Sequence, residues 1–326
     1  MTLPTDADVA AYIDDLKNWG RWGLDDQLGT LNLIKPEHRT AAARLVTHGR
    51  TVSCARDLIT AYGHPDNCAQ MYYVASGEGV DRAPGVPSTA LGRGDLGSAV
   101  EFVGLVYHGT NVTHIDSVAH LFWKGQIYND RSSGLVTSEH GALFGAVTAM
   151  KEGIVGRGVL LDVPRAEGVT ALEGGRAVTP DDLEATAAAQ GVTVGPGDIV
   201  LLRTGRWAAA NPEPAESYTD PHDNARWGQR AGWHPACMPW LRDREVAVIG
   251  CDGPQEPLPP PYPRVPGAMI HVYALYAMGM PLIDNCDLEE LAAVCAELRR
   301  WEFQFLVTPL RVVGGSGSPV NPVAVF

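Results

Sequence analysis

Four stretches of this chain are apolar at nearly every position. Residues 100–106 (V-E-F-V-G-L-V) carry apolar side chains at most positions, and residues 158–163, 199–202 and 246–250 read G-V-L-L-D-V, I-V-L-L and V-A-V-I-G. Runs this short and continuous predict strands covered on both faces, the pattern of a layered α/β protein. Helices are signalled by a different period. Thr5 caps residues 6–19, where Val9, Ala10, Ile13 and Leu16 recur at helical spacing behind acidic residues in the first turn. Pro36 opens a second helix continuing over 37–46, and Thr179-Pro180-Asp181-Asp182 opens a third that runs to Gln190 and stops at Gly191. Residues 284–287 supply caps for a helix over 288–301 with Leu288, Leu291, Val294, Cys295 and Leu298 on its apolar face.

Weaker patterns fill the intervals. Residues 51–58 and 71–74 predict strands, the latter inside the Gly- and Pro-rich stretch 63–97, and residues 305–307 and 310–313 predict strand before a Gly/Ser/Pro tail. Residues 19–32 form either a packed loop or an arm that carries aromatic side chains to a pocket. Residues 212–240 read as loop, with His222, Trp227, Trp233 and His234. The prolines between 254 and 266 make a stiff surface loop. Neither a repeat nor a linker interrupts residues 1–326, so one domain is expected.

Composition narrows the function classes. Of 326 residues, 45% are hydrophobic and 19% charged, which is ordinary for a globular protein, and the formal net charge of −13 disfavours a nucleic-acid or anionic membrane surface. Neither a signal peptide nor an apolar run long enough for a bilayer is visible. Six scattered cysteines without a C-x-x-C pair suit free thiols in the cytoplasm.

The chemistry concentrates in Y-H-G-T-N-V-T-H-I-D-S-V-A-H, residues 107–120, between the apolar run at 100–106 and Leu121, Phe122 and Trp123. Strand side chains alternate faces and helical ones realign after three or four residues. His114 and Asp116 therefore share a face if a strand reaches them, and Asp116 and His120 do so if a helical turn begins there. A His/Asp/His set without thiolates suits a catalytic metal rather than a structural one. Such a metal polarises a carbonyl and makes water nucleophilic near neutral pH. His108 lies six residues before His114, about 20 Å along a straight strand, so it joins the set only if 109–113 bends. No nucleophile elbow, phosphate loop or dinucleotide fingerprint is present.

At T-H-I-D-S-V-A-H the chain resembles the cyclase family of metal-dependent hydrolases, which includes kynurenine formamidase and isatin hydrolase and carries H-x-G-T-H-x-D-x-P-x-H. Further matching stretches are W-G-L-D-D-Q-L-G-T-L-N at 22–32, R-G-V-L-L-D-V at 157–163, L-L-R-T-G at 201–205 and H-V-Y-A-L-Y-A-M-G-M-P-L-I-D-N at 271–285. The resemblance implies a single-domain α/β fold of layered β/β/α type, a homo-oligomer, and a divalent metal, Zn2+ or Mn2+. It assigns His114 and Asp116 as ligands, His120 as general acid/base or ligand of a second metal, and His271 and Asp284 as counterparts of a later histidine and glutamate. Three positions depart from the pattern: Thr110 replaces the first histidine, leaving His108 as the nearest, Val118 replaces the proline, and Asp284 replaces the glutamate. The expected activity is metal-dependent hydrolysis of an amide, lactam or related carbonyl bond in a small, aromatic type of substrate. Ring closure in natural-product biosynthesis and non-catalytic metal or ligand binding are the alternatives.

Overall fold

The computed structural model describes residues 2–60, 69–75, 100–208 and 229–326. Among them a nine-stranded sheet is built from β1 (Thr51–Ser53), β4 (His114–Asp116), β5 (Ile154–Asp162), β6 (Ile199–Arg203), β7 (Val248–Cys251), β8 (Leu282–Asp284), β9 (Glu302–Val307), β10 (Gly317–Pro319) and β11 (Val323–Val325). β2 (Ala69–Ala75) and β3 (Val100–Leu105) pair only with each other. The strand order of the large sheet is β1-β11-β9-β5-β6-β7-β8-β4-β10. Its centre, β5-β6-β7-β8, is parallel, and β4 joins antiparallel to β8.

The apolar runs explain that centre. Alternate residues of β5 and β6 enter opposite cores: Val159, Leu161, Val200 and Leu202 pack with Trp233, Met238 and the segment 272–278, whereas Leu160, Ile199 and Leu201 pack with Phe303, Phe305, Leu291 and Val294. Helix α1 (Asp6–Asp15) starts on the expected capping box, Thr5 with Asp8, and ends earlier than residue 19. Helix α2 is Pro36–Ala43; α3 is Pro180–Gln190, closed by Gly191 at φ 66°; α4 is Cys237–Asp243; α5 is Glu289–Leu298. Val272–Met278 forms a π-helix, directly after His271. No helix among the described residues is long and apolar enough to cross a membrane, and the five described cysteines are free and buried.

Several expectations are corrected. The strand at 100–106 ends at Leu105 and is not the edge of the core; with only β2 beside it, Phe102 and Val103 remain exposed. Residues 310–313 form no strand. Strand pairing resumes in the tail instead, where β10 joins β4 and β11 bridges β1 to β9. The proline-rich stretch is not wholly a surface loop, because Pro254, Gln255 and Pro257 are buried. Trp233 is a core residue whose Nε1 donates to Gln255 Oε1 at 2.9 Å. His222 and Trp227 lie outside the described residues.

Candidate metal centre

Strand β4 is three residues long, and its alternation does the sorting: Ile115 points into the core, leaving His114 and Asp116 on the opposite face. Across the antiparallel pair, Asp284 is the register partner of His114. Asp284 thus ends a parallel strand, at the carboxyl edge where open α/β sheets place their ligands. His120 returns to the cluster through a tight turn, with its N–H on Ser117 O at 2.9 Å, not through the helical turn expected. His271 comes from the residue that opens the π-helix.

The bend required of residues 109–113 exists. Asn285, held at φ 55°, donates from Nδ2 to Gly109 O (2.8 Å) and Val112 O (3.1 Å). The fold-back carries His108 Nδ1 to 2.9 Å from Asp116 Oδ1. Gly317 leaves the room: a Cβ there would stand 2.8 Å from His108 Cε1 and 2.6 Å from Ile115 O. Thr110 is buried, and its hydroxyl turns to Asn111 Oδ1 at 3.5 Å.

Six side chains therefore converge. Asp116 Oδ2 lies 3.6 Å from His120 Nε2 and 3.5 Å from His271 Nε2, and Asp116 Oδ1 lies 3.5 Å from His114 Nε2. Asp284 Oδ2 stands 3.3 Å from His271 Nε2 and 3.8 Å from His114 Nε2. Donor atoms bound tetrahedrally about 2.1 Å from one ion are about 3.4 Å apart, so these spacings are those of ligands gathered around a shared cation. Both Asp116 oxygens are buried and face imidazole nitrogens, the nearest His108 Nδ1 at 2.9 Å, an arrangement that a cation between carboxylate and imidazoles would satisfy. Two groupings satisfy the ligand distances, His108/Asp116/His120 and His114/Asp116/Asp284, with Asp116 common to both. Mixed imidazole and carboxylate donors suit Zn2+ and Mn2+.

The surrounding groups aim the ligands. His114 Nδ1 faces Val112 O at 2.8 Å and His271 Nδ1 faces Glu256 Oε1 at 2.7 Å, so both rings turn Nε2 to the cluster. Gln255 Nε2 donates to Asp284 Oδ1 at 2.6 Å and leaves Oδ2 for the centre. Burial alone would raise the Asp116 carboxyl, but His120 and His114, with His108 and His271, hold it well below the usual carboxylate range. Burial pushes the His120 imidazole down to about 4 against the opposing Asp116 charge. For His271, burial is outweighed by Glu256 and Asp284, which raise it well above its ordinary value. His108 stacks on His120 with centroids 3.9 Å apart, and both side chains are 26% exposed, whereas His114 is 2% exposed. The stacked pair forms the solvent side of the site.

The sequence reading missed Glu256, Gln255 and Gly317. Nothing local marks them, since two lie among prolines and the third in a glycine/serine tail.

The family model named Putative cyclase matches residues 57–255. The chain belongs to the cyclase family. A solved structure described as a novel cyclase is 29% identical, with a TM-score of 0.81 over 95% of this chain and 100% of that one. Isatin hydrolase A from Ralstonia solanacearum is 18% identical, with a TM-score of 0.53 over 85% of this chain and 92% of the other. Isatin hydrolase A from Labrenzia aggregata, bound to benzyl benzoate, is 16% identical with a TM-score of 0.51 over 84% and 93%. At these identities the isatin hydrolases share the fold with this cyclase-family chain. No curated protein matches the sequence.

Proposed function

We propose that this cyclase-family protein is a metal-dependent hydrolase that opens an amide, lactam or related carbonyl bond of a small substrate. The observation that carries the reading is Asp116: a buried carboxylate, held ionised, at ligand spacing from three imidazoles. His114, Asp116, His271 and Asp284 would hold a Zn2+ or Mn2+ ion, with His108 and His120 beside a second position that shares Asp116. When bound, such an ion polarises a carbonyl oxygen and makes water nucleophilic near neutral pH.

The chain's own residues supply the rest. His120, neutral and at the solvent side, takes a proton from the attacking water at Nε2 and returns it to the leaving nitrogen. His108 fixes the plane of that ring by stacking on it. Glu256 and Gln255 orient His271 and Asp284 before substrate arrives.

Ring closure is the second reading, favoured by the 29% identical relative described as a cyclase. One experiment separates the readings: chelator-treated and metal-restored protein is assayed by mass spectrometry against N-formyl, lactam and ester substrates. Hydrolysis of the lactam adds one water to the substrate mass, hydrolysis of the N-formyl or ester substrate gives two fragments whose masses sum to substrate plus water, and both disappear on chelation. Metal-dependent conversion to a single product of unchanged mass, or lighter by one water, would replace hydrolysis by cyclisation, and full activity after chelation would end the metal mechanism.

A further inference from the structure

Beside the acidic and imidazole cluster two arginines, Arg206 and Arg230, bond to the segments that build it. Arg206 Nη2 donates to Thr110 O at 3.3 Å, on the bend that carries His108. Arg230 Nε donates to Glu256 O at 3.1 Å, on the residue that holds His271. Trp207 separates Arg206 from Arg56: its Nε1 is tied to Cys286 O at 2.9 Å, and the guanidinium carbons lie 4.7 Å and 3.7 Å from its ring centroid. The two arginines are thus anchored by one edge of each guanidinium, on chain segments that themselves carry the metal-centre side chains.

Arg206 Nη1 and Arg230 Nη1 are buried and have no hydrogen-bond partner among the described residues. The nearby carboxylates are engaged elsewhere. Asp252 accepts from Thr204 N and Oγ1, Gly205 N and Arg206 N, and Glu256 Oε1 is occupied by His271. Burial, and then repulsion from Arg230, depress Arg206 to about 10; burial likewise lowers Arg230. A buried guanidinium N–H without an acceptor is costly, and an anion placed between these Nη1 atoms would relieve both.

We propose that Arg206 and Arg230 form an anion subsite beside the metal centre, which binds a carboxylate of the substrate remote from the bond that is cut. Guanidinium N–H groups match carboxylate oxygens in charge and geometry. A phosphate would bring a second negative charge close to Asp116, Asp284 and Glu256, which favours the singly charged group. The assignment deepens the hydrolase reading and rests on it for the reaction, but its binding arm is independent of turnover.

The test uses metal-loaded full-length protein and two probes, 2-formamidobenzoate and its neutral counterpart 2-formamidobenzamide. Calorimetric Kd values are measured for the wild type, Arg206→Met, Arg230→Met and the charge-retaining Arg206→Lys, with thermal melts to confirm folding. The wild type is expected to prefer the acid by about tenfold or more, each methionine variant to lose about tenfold on the acid alone, and Arg206→Lys to keep part of the preference. A preference that survives both methionine variants, equal binding of the two probes by wild type, or binding of neither overturns the subsite. Preferential acid binding without turnover leaves the subsite standing and removes the hydrolase reading for this substrate class. Turnover of both probes at equal KM does the reverse.

Discussion

A single oxygen of Glu256 holds His271 twice: Oε1 accepts from the backbone N–H at 3.0 Å and from ring Nδ1 at 2.7 Å. The carboxylate fixes where the π-helix begins and which ring nitrogen faces the metal centre. Replacing it with an amide keeps the size and removes the charge. Glu256→Gln is expected to weaken metal binding by about 10- to 100-fold, read by competition with a chromophoric chelator.

His120 is separable from the ligands behind it. The set His114, Asp116 and Asp284 is complete without it. His120→Gln should therefore retain metal, measured by elemental analysis, while kcat falls by roughly 10²- to 10⁴-fold. A variant that loses metal and activity together would recast His120 as a ligand alone.

Gly317 tests the closeness of β10 to the site. An added methyl group would press on His108 Cε1 and on the Ile115 carbonyl, a contact that only displacement relieves. Gly317→Ala is expected to cost about 1–3 kcal/mol in denaturant unfolding. Loss of the His108–His120 stack would appear as changed imidazole resonances.

Metal removal should destabilise the fold, because the buried Asp116 and Asp284 carboxylates lose the cation between them. A metal present at 100 times its Kd stabilises by about 2.7 kcal/mol, so the melting temperature should fall on chelation and recover on reloading. Imidazoles bind metal only when neutral, and protons compete for the same nitrogens. The difference in melting temperature between loaded and stripped protein should therefore shrink as pH falls from about 8 to about 5.

The sequence made the helices and the parallel strands legible because capping residues and periodicity are local signals. Thr5, Thr179 and Gly191 act at the positions their types predict. His114, Asp116 and His120 were legible from spacing, although a separate three-residue strand and a turn produce their convergence, not a continuing strand and a helix. Asp284 could equally have been a helix cap; instead it ends β8, and Asp287 Oδ1 receives the Glu289 N–H at 3.2 Å. Glu256, Gln255, Arg206 and Arg230 stayed hidden because each acts on the site across a fold contact that leaves no periodic trace. The tail at 317–325 carries no strand signal of its own in a Gly/Ser/Pro composition, because its strand pairing depends on edges offered by β4 and β9.

The register partnership of His114 with Asp284 joins residues far apart in the chain, and His271 arrives from a third segment. An unfolded chain cannot present this donor set, since closing so long a loop has to precede any shared coordination. Metal capture is consequently expected late in folding, after β4 has inserted beside β8. Uptake of the ion during refolding would then time the completion of the sheet.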